Sequence, residues 1–182
     1  MNAHQVFLAA MVAACAVGAL VDLRTGNIPN WLTLGLVGFA PLCHAALAWS
    51  RHHSWPAASM ALAASLGGAA VSAMLPAFLY RVGGLGLGDV KLFAAIGATC
   101  GVFVGLYAQT YAYVLAMVYA LVLVAWRGKL AATLANVKGL VTARSGRDGA
   151  GEPARASFTE VRFGPAIAAG MCVAAWAQWR LP

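Results

Sequence analysis

The fold and function of this 182-residue chain depend on the stretch Gly83-Gly84-Leu85-Gly86-Leu87-Gly88-Asp89-Val90-Lys91-Leu92. Its glycine-rich turn places one carboxylate, Asp89, at the start of a long apolar run. Only five residues of the chain are acidic, and a second one, Asp22, lies where another apolar run ends. An ionisable side chain at the edge of a membrane segment is costly to keep, so it is a candidate functional residue. Two carboxylates that converge suffice for general acid–base catalysis, and we therefore treat Asp22 and Asp89 as one candidate site.

The composition is that of a polytopic membrane protein. Hydrophobic residues make up 62% of the chain and charged residues 9%, with a mean hydropathy of +0.78. Soluble domains carry about 25% charged residues, so this composition excludes a water-soluble globular domain. The net charge of +7 indicates membrane topology and contact with the lipid bilayer rather than nucleic-acid binding.

The apolar runs predict a single all-α domain over residues 1–182 with about six transmembrane helices. A helix needs about 20 apolar residues to cross the bilayer. The run 92–126 is long enough for two short spans, but it offers only a weak break near Gly105 to Gln109. The other predicted spans are 5–21, 31–49, 57–80 and 164–179. We do not expect the first one to be cleaved as a signal peptide, because no Lys or Arg precedes it.

The distribution of positive charge predicts the topology. All Lys and Arg residues except Arg51 and Arg180 fall in three segments, which the positive-inside rule places in the cytoplasm. These segments share a side only if the chain crosses the membrane twice between Lys91 and Arg127. The prediction is six helices with both termini outside and both aspartates at the cytoplasmic face.

Residues 127–163 differ in character from the rest and are predicted to form a cytoplasmic loop. Apolar residues recur there at helical spacing beside two lysines: Leu130, Leu134, Val137 and Val141, with Lys129 and Lys138. This pattern is typical of an amphipathic helix lying in the membrane interface. A docking surface for a partner protein is the alternative.

The glycine-rich stretch also invites comparison with two nucleotide-binding motifs. A phosphate-binding P-loop requires GxxxxGK[ST], and no Lys-Ser or Lys-Thr pair follows here. A dinucleotide fingerprint requires a strand–turn–helix unit, and the sequence predicts no strands. A flexible loop with an incidental acid remains an alternative. The functional interpretation is that bare glycine backbone lets an extended substrate approach closely beside Asp89.

A second glycine pattern follows in the next apolar run. Gly97, Gly101 and Gly105 recur every four residues. Small residues at this spacing let membrane helices pack closely. We expect the three glycines to lie on one helix and to hold the helix of Asp89 against a neighbour.

No metal site or cofactor is expected. The sequence has no CxxC pair, and its four cysteines lie far apart in apolar segments, where buried free thiols are expected: Cys15, Cys43, Cys100 and Cys172. Adjacent His52 and His53 are expected to be solvated, and His4 and His44 have no spacing that joins them to a site. Nucleophilic catalysis by Ser or Cys is poorly supported, because neither has a partnered His on the side of the two aspartates.

Three motifs together resemble a known family, the type IV prepilin peptidases, which are membrane aspartyl proteases of the GxGD class. Asp22-Leu23-Arg24 followed by Ile28-Pro29-Asn30 is similar to their first aspartate motif, and Gly86-Leu87-Gly88-Asp89-Val90-Lys91-Leu92 to the second. Phe163-Gly164-Pro165-Ala166-Ile167-Ala168 resembles the segment that opens their last helix.

The resemblance implies that Asp22 and Asp89 are the catalytic pair of an aspartic endopeptidase. Matching positions are expected to bind the substrate or support the site: Arg24, Pro29, Asn30, Gly86, Gly88, Lys91 and Pro165. The implied reaction removes the short basic leader from pilin precursors at the cytoplasmic face of the bacterial inner membrane, in contact with pilus assembly machinery. The chain lacks the paired CxxC zinc module of the longer bifunctional members and resembles the short Flp/Tad-pilus form. N-methyltransferase activity is therefore not expected.

The expected helix ends suggest how the two carboxyl groups divide their roles. Asp89 would lie at a helix N-terminus, where the dipole favours negative charge, and Asp22 at a helix C-terminus, where it does not. The hypothesis is that Asp89 is the base and Asp22 the acid. Two other classes remain as alternatives: a small transporter or channel with a paired-carboxylate cation site, and a non-catalytic assembly subunit of a pilus or secretion system.

Overall fold

The computed structural model describes residues 2–126 and 163–179, which form six α-helices and no strand. The helices are α1 (Ala3–Thr25), α2 (Asn30–His52), α3 (Trp55–Arg81), α4 (Leu87–Cys100), α5 (Val102–Trp126) and α6 (Gly164–Trp179). The all-α prediction is confirmed for these ranges, and α6 has the predicted bounds. The predicted interfacial helix and cytoplasmic loop lie outside the described residues.

Four of these helices are long and apolar enough to cross a membrane: α1, α2, α3 and residues 102–122 of α5. The other two are short, with 14 residues in α4 and 16 in α6. At 1.5 Å per residue, α4 is about 21 Å long, less than the hydrocarbon thickness of about 30 Å. The six-span count and the position of the termini therefore remain predictions.

The break between α4 and α5 lies at Gly101, so the prediction of a break near Gly105 to Gln109 was wrong. Gly101 adopts φ 86° and ψ 171°, a backbone conformation that favours glycine, and its N–H donates to the Gly97 carbonyl at 3.0 Å. Gly97 therefore ends up on α4 and Gly105 on α5. The expectation that the three glycines lie on one helix is therefore wrong, because the conformation of Gly101 ends α4.

The loop before α4 is also shorter than predicted. The helix starts at Leu87, which places Asp89 in its first turn and Lys91 in the turn that follows. At the other motif, α1 continues past Asp22 to Thr25 and ends at Gly26, where φ is 72°. Both aspartates consequently belong to helices rather than to the connecting loops.

Residues 1–115 and 162–182 form one compact unit, in which α4 is the central helix. It packs against α1, α2 and α3, and α1 also packs against α6. Leu92, Phe93 and Ile96 of α4 are fully buried. Residues 116–161 form a second unit, of which the structure describes the last part of α5.

Close contact between α3 and α4 depends on glycine. A Cβ atom on Gly68 would collide with the Gly97 carbonyl, and one on Gly97 would collide with the Gly68 carbonyl. A Cβ on Gly105 would meet the Ser72 hydroxyl. The predicted role of the small residues, to hold the Asp89 helix against a neighbour, is confirmed for Gly97.

The C-terminal end of α4 is held by side chains of two neighbouring helices. Ser65 Oγ on α3 donates to the Ala98 carbonyl at 2.7 Å, and His44 Nε2 on α2 lies 3.0 Å from the Thr99 carbonyl. The last carbonyls of a helix have no partner within the helix, so these contacts satisfy groups that would otherwise be buried without one. The C-terminal end of the helix that carries Asp89 is thus fixed in place.

Large apolar side chains cover the outer surface of the described helices. Trp31, Phe39, Met60, Phe78 and Phe103 are each more than 60% exposed. Contiguous exposed apolar surface of this kind is typical of contact with lipid. The four cysteines are free, but Cys172 is exposed, so the prediction of a buried thiol is wrong there.

Candidate active site

Asp22 lies in the last turn of α1 with only 8% of its surface exposed. Its Oδ2 accepts a hydrogen bond from the backbone N–H of Gly164, the first residue of α6, at 3.2 Å. A Cβ on Gly164 would lie 2.6 Å from that oxygen. Glycine is therefore the residue that lets the start of α6 approach the carboxylate.

Asp89 occupies the first turn of α4 and is also 8% exposed. Its Oδ2 accepts a hydrogen bond from the backbone N–H of Gly86 at 3.2 Å. This contact satisfies one of the N–H groups left without a partner at the start of a helix. Gly86 and Leu87, shortly before it in the chain, are exposed.

The two carboxylates share one site. Asp89 lies outside the four candidate spans, and burial is the main reason that its pKa is raised above that of an ordinary aspartate. The hydrogen bond from Gly86 lowers the pKa in part, and the charge of Asp22 raises it further. The negative charge of Asp22 thus favours the neutral form of Asp89.

The hypothesis that Asp89 is the base and Asp22 the acid loses its basis in this arrangement. It assumed that only Asp89 faces a helix N-terminus, but Asp22 accepts a hydrogen bond from the first residue of α6. Each carboxylate is therefore bound by a backbone N–H at the start of a helix. The raised pKa of Asp89 favours the protonated form of this residue.

Residues of the first motif pack directly on the second. The Ile28 side chain is buried, and a Cβ on Gly88 would lie 3.2 Å from the Ile28 Cβ. Gly88 thus lets the α1–α2 loop lie against the first turn of α4. The sequence motif contains Ile28, but its role as the contact between the two aspartate-bearing segments was not predicted.

The structure places the other expected supporting residues as follows. Lys91 Nζ donates to Asn30 Oδ1 at 2.9 Å, which joins α4 to the start of α2, and Pro29 is the capping residue of α2. Pro165 is the second residue of α6, where the fixed φ of proline is tolerated. Arg24 is exposed in the last turn of α1. Of these residues, Lys91 and Asn30 are brought together by the fold.

A tyrosine that was not singled out from the sequence also borders the site. The ring centroid of Tyr113 on α5 lies 5.8 Å from that of Phe93 and 5.7 Å from that of Phe163. Gln109 Nε2 donates to the Tyr113 hydroxyl at 3.2 Å. A buried glutamine within an apolar run was the available signal, but it was interpreted only as a helix break.

Within residues 2–126 and 163–179, no group of three or more His, Cys, Asp or Glu side chains is placed to hold a metal ion. Two titratable groups that the structure does bring together there are Asp22 and Asp89, whose charges interact. An acid–base pair of carboxylates is the equipment of aspartic-type hydrolysis, in which water is the nucleophile.

The fold and the site define a helical membrane protein with a paired-carboxylate site. In a comparison with known protein families, residues 9–121 match the type IV leader peptidase family, and the chain belongs to this family. The matched region includes both aspartates. The resemblance found in the sequence is thereby confirmed, and the family implies an aspartic-type peptidase that acts on prepilins. No curated protein and no solved structure matched the chain.

Proposed function

We propose that the chain is an aspartic endopeptidase that removes the short basic leader from pilin precursors, with Asp22 and Asp89 as its catalytic pair. Membership of the family supports the class of reaction. The assignment of residues is supported by one observation: both carboxylates are buried, their charges interact, and each is bound by a backbone N–H at the start of a helix.

In the proposed resting state Asp22 is ionised and Asp89 protonated. The Gly164 N–H supports negative charge on Asp22, and burial of Asp89 favours its neutral form. Asp22 removes a proton from water, and the oxygen of that water attacks the scissile carbonyl carbon. Asp89 donates its proton to the carbonyl oxygen. As the C–N bond breaks, the proton on Asp22 passes to the leaving amine, and one hydroxyl proton of the intermediate returns to Asp89 as the carbonyl re-forms, which restores the resting state.

The substrate reaches the site from the side of the glycine-rich loop. Residues Val82, Gly83, Gly84 and Gly86 are exposed immediately before Asp89, so an extended peptide can lie close to the backbone there. We place this opening at the cytoplasmic face of the bacterial inner membrane, which the positive charge of the neighbouring loops supports. The resemblance to the short Flp/Tad form supports pilins of that class as substrates, and pilus assembly machinery as a partner.

The same domain, residues 1–182, carries the whole activity in this proposal, without cofactor, metal or N-methyltransferase activity. A cation transporter is disfavoured, because both carboxylates accept hydrogen bonds from backbone N–H groups that would repel a cation. A non-catalytic assembly subunit would not need both acids to be buried in one site.

The experiment that tests the proposal is co-expression with a pilin precursor of the same genome, with leader removal followed by gel shift. Wild type is expected to process the precursor. Asp22→Asn and Asp89→Asn are each expected to lower the rate by about 10³-fold or more, since the two carboxyls act as a unit. Asp148→Asn, at an aspartate of the predicted cytoplasmic loop, is the control and should retain activity. Processing that survives either of the first two substitutions would contradict the aspartyl mechanism.

A further inference from the structure

Gln109 is a polar side chain in an unusual place. It lies in the apolar run of α5 and only 2% of its surface is exposed. Its amide donates to the hydroxyl of Tyr113, one helical turn further along, at 3.2 Å. Polar side chains within membrane segments are expensive and mark functional positions. The hydrogen bond fixes the orientation of the Tyr113 hydroxyl.

The ring of Tyr113 contacts both segments that carry the carboxylate site. It packs against Phe93, which is one turn after Asp89 on α4. It also packs against Phe163, which immediately precedes the Gly164 N–H bound to Asp22. Tyr113 is also close enough to Asp89 for the two side chains to interact electrostatically.

The chemistry of the phenol sets what this group can do. A tyrosine hydroxyl can accept a hydrogen bond and donate its own proton to a second group. Because Gln109 donates to the oxygen, the O–H proton is not used in that hydrogen bond and remains available to an acceptor. Hydrolysis of a peptide bond creates such an acceptor, since negative charge builds up on the carbonyl oxygen in the transition state of water attack, before proton transfer from Asp89 is complete.

We propose that Tyr113 is a further catalytic residue, which donates a hydrogen bond to the scissile carbonyl oxygen in the transition state, and that Gln109 is the residue that positions it. This inference rests on the proposed peptidase function. It assigns three groups to the reaction: Asp22 activates water, Asp89 supplies a proton, and Tyr113 stabilises the developing charge.

The test compares variants of the purified full-length protein in lipid vesicles, with a synthetic prepilin peptide as substrate. Tyr113→Phe keeps the ring contacts with Phe93 and Phe163 and removes only the hydroxyl. It should lower kcat by about 10²-fold, with KM nearly unchanged, because the lost hydrogen bond forms in the transition state. Tyr111→Phe is the matched control: this residue is a partly buried tyrosine two positions away on the same helix, and its variant should match wild type.

Gln109→Leu provides a second variant that acts only through Tyr113. It should lower kcat less than Tyr113→Phe does. The double variant should be no slower than Tyr113→Phe alone, because residues that act through one contact are not additive. Tyr113→Phe leaves the buried Gln109 amide without its partner, so some loss of thermal stability is expected. A merely structural role would make kcat recover at temperatures well below the melting transition of the variant, whereas the proposal predicts that kcat of Tyr113→Phe stays low there.

The outcomes separate the two proposals. If wild type cleaves the peptide and Tyr113→Phe has the same kcat as Tyr111→Phe, the role of Tyr113 is overturned and the carboxylate mechanism stands. If wild type does not cleave prepilin peptides at all, the proposed function is contradicted, and the role of Tyr113 is contradicted with it.

Discussion

At the residue scale, the protonation state of Asp89 determines how activity depends on pH. Burial raises the pKa of Asp89, and in the proposed mechanism this carboxyl must be protonated at the start of each turnover. Activity is therefore lost as pH rises through that raised pKa. An unperturbed aspartate has a pKa of about 3.9, so the alkaline limb of the kcat profile should lie well above that value.

This expectation is checked by initial rates of peptide cleavage across the pH range, with circular dichroism at each pH to show that the helices remain folded. An alkaline limb close to the ordinary pKa of an aspartate would contradict the assignment of the proton to Asp89.

Gly164 offers a second prediction at this scale. Gly164→Ala places a methyl group 2.6 Å from the Asp22 Oδ2, so either the carboxylate or the start of α6 must move. Since a displacement of about 1 Å in a catalytic group can cost about 10²-fold in rate, we expect a loss of one to two orders of magnitude in kcat. Gly35→Ala, on α2 where a Cβ meets no other atom within 4 Å, should retain wild-type activity. Equal activity in both variants would show that the Gly164 contact with Asp22 has no role in the reaction.

The packing of α3 on α4 is the element-scale feature that fixes Asp89. Two adjacent glycines of α3 test it directly, because a Cβ on Gly68 would collide with the Gly97 carbonyl while one on Gly67 meets nothing within 4 Å. Overpacking of this kind costs about 1–3 kcal/mol, so Gly68→Ala should lower the thermal stability in detergent. Gly67→Ala should be neutral or slightly stabilising, because alanine favours helix by about 1 kcal/mol over glycine. Similar melting temperatures for the two variants would exclude the tight crossing of α3 and α4.

Some helices could be predicted from sequence more accurately than others, because their sequence signals differ in kind. Long apolar runs and dense turn formers gave α1, α2, α3 and α6 within a few residues. The end of α4 was missed because three glycines recur every four residues in this run. Only the backbone conformation of Gly101 shows which of them ends the helix. The caps on its last carbonyls, from Ser65 and His44, come from other helices and leave no local pattern.

The site was predictable to a similar degree. Rarity of acids in an apolar chain was enough to single out Asp22 and Asp89. The hydrogen bond from Gly164 to Asp22 joins residues 142 positions apart, so the argument from helix dipoles could not include it. Gln109 and Tyr113 were missed for a related reason. Their one-turn spacing allows a hydrogen bond, but only the fold shows that Phe93 and Phe163 lie beside the tyrosine.

At the scale of the whole molecule, the proposed activity requires that the two loops beside the aspartates share one side of the membrane. The exposed residues Asn27 and Val82 lie in these loops, and the exposed His52 lies at the other end of α2. Single cysteines at these positions, in a background without the native cysteines, can be labelled in oriented vesicles. We expect Asn27→Cys and Val82→Cys to react from the cytoplasmic side, and His52→Cys from the opposite side. Labelling of Asn27→Cys and Val82→Cys from different sides would contradict the topology.

The central claim is that this chain alone cleaves prepilins with a pair of aspartates. The most direct test is the purified protein in lipid vesicles with a synthetic prepilin peptide and a metal chelator, with the products identified by mass spectrometry. The account predicts a single cut after the basic leader by wild type, undiminished by the chelator, and no cut by Asp22→Asn or Asp89→Asn. Cleavage that depends on added metal, or that persists in either variant, would contradict it.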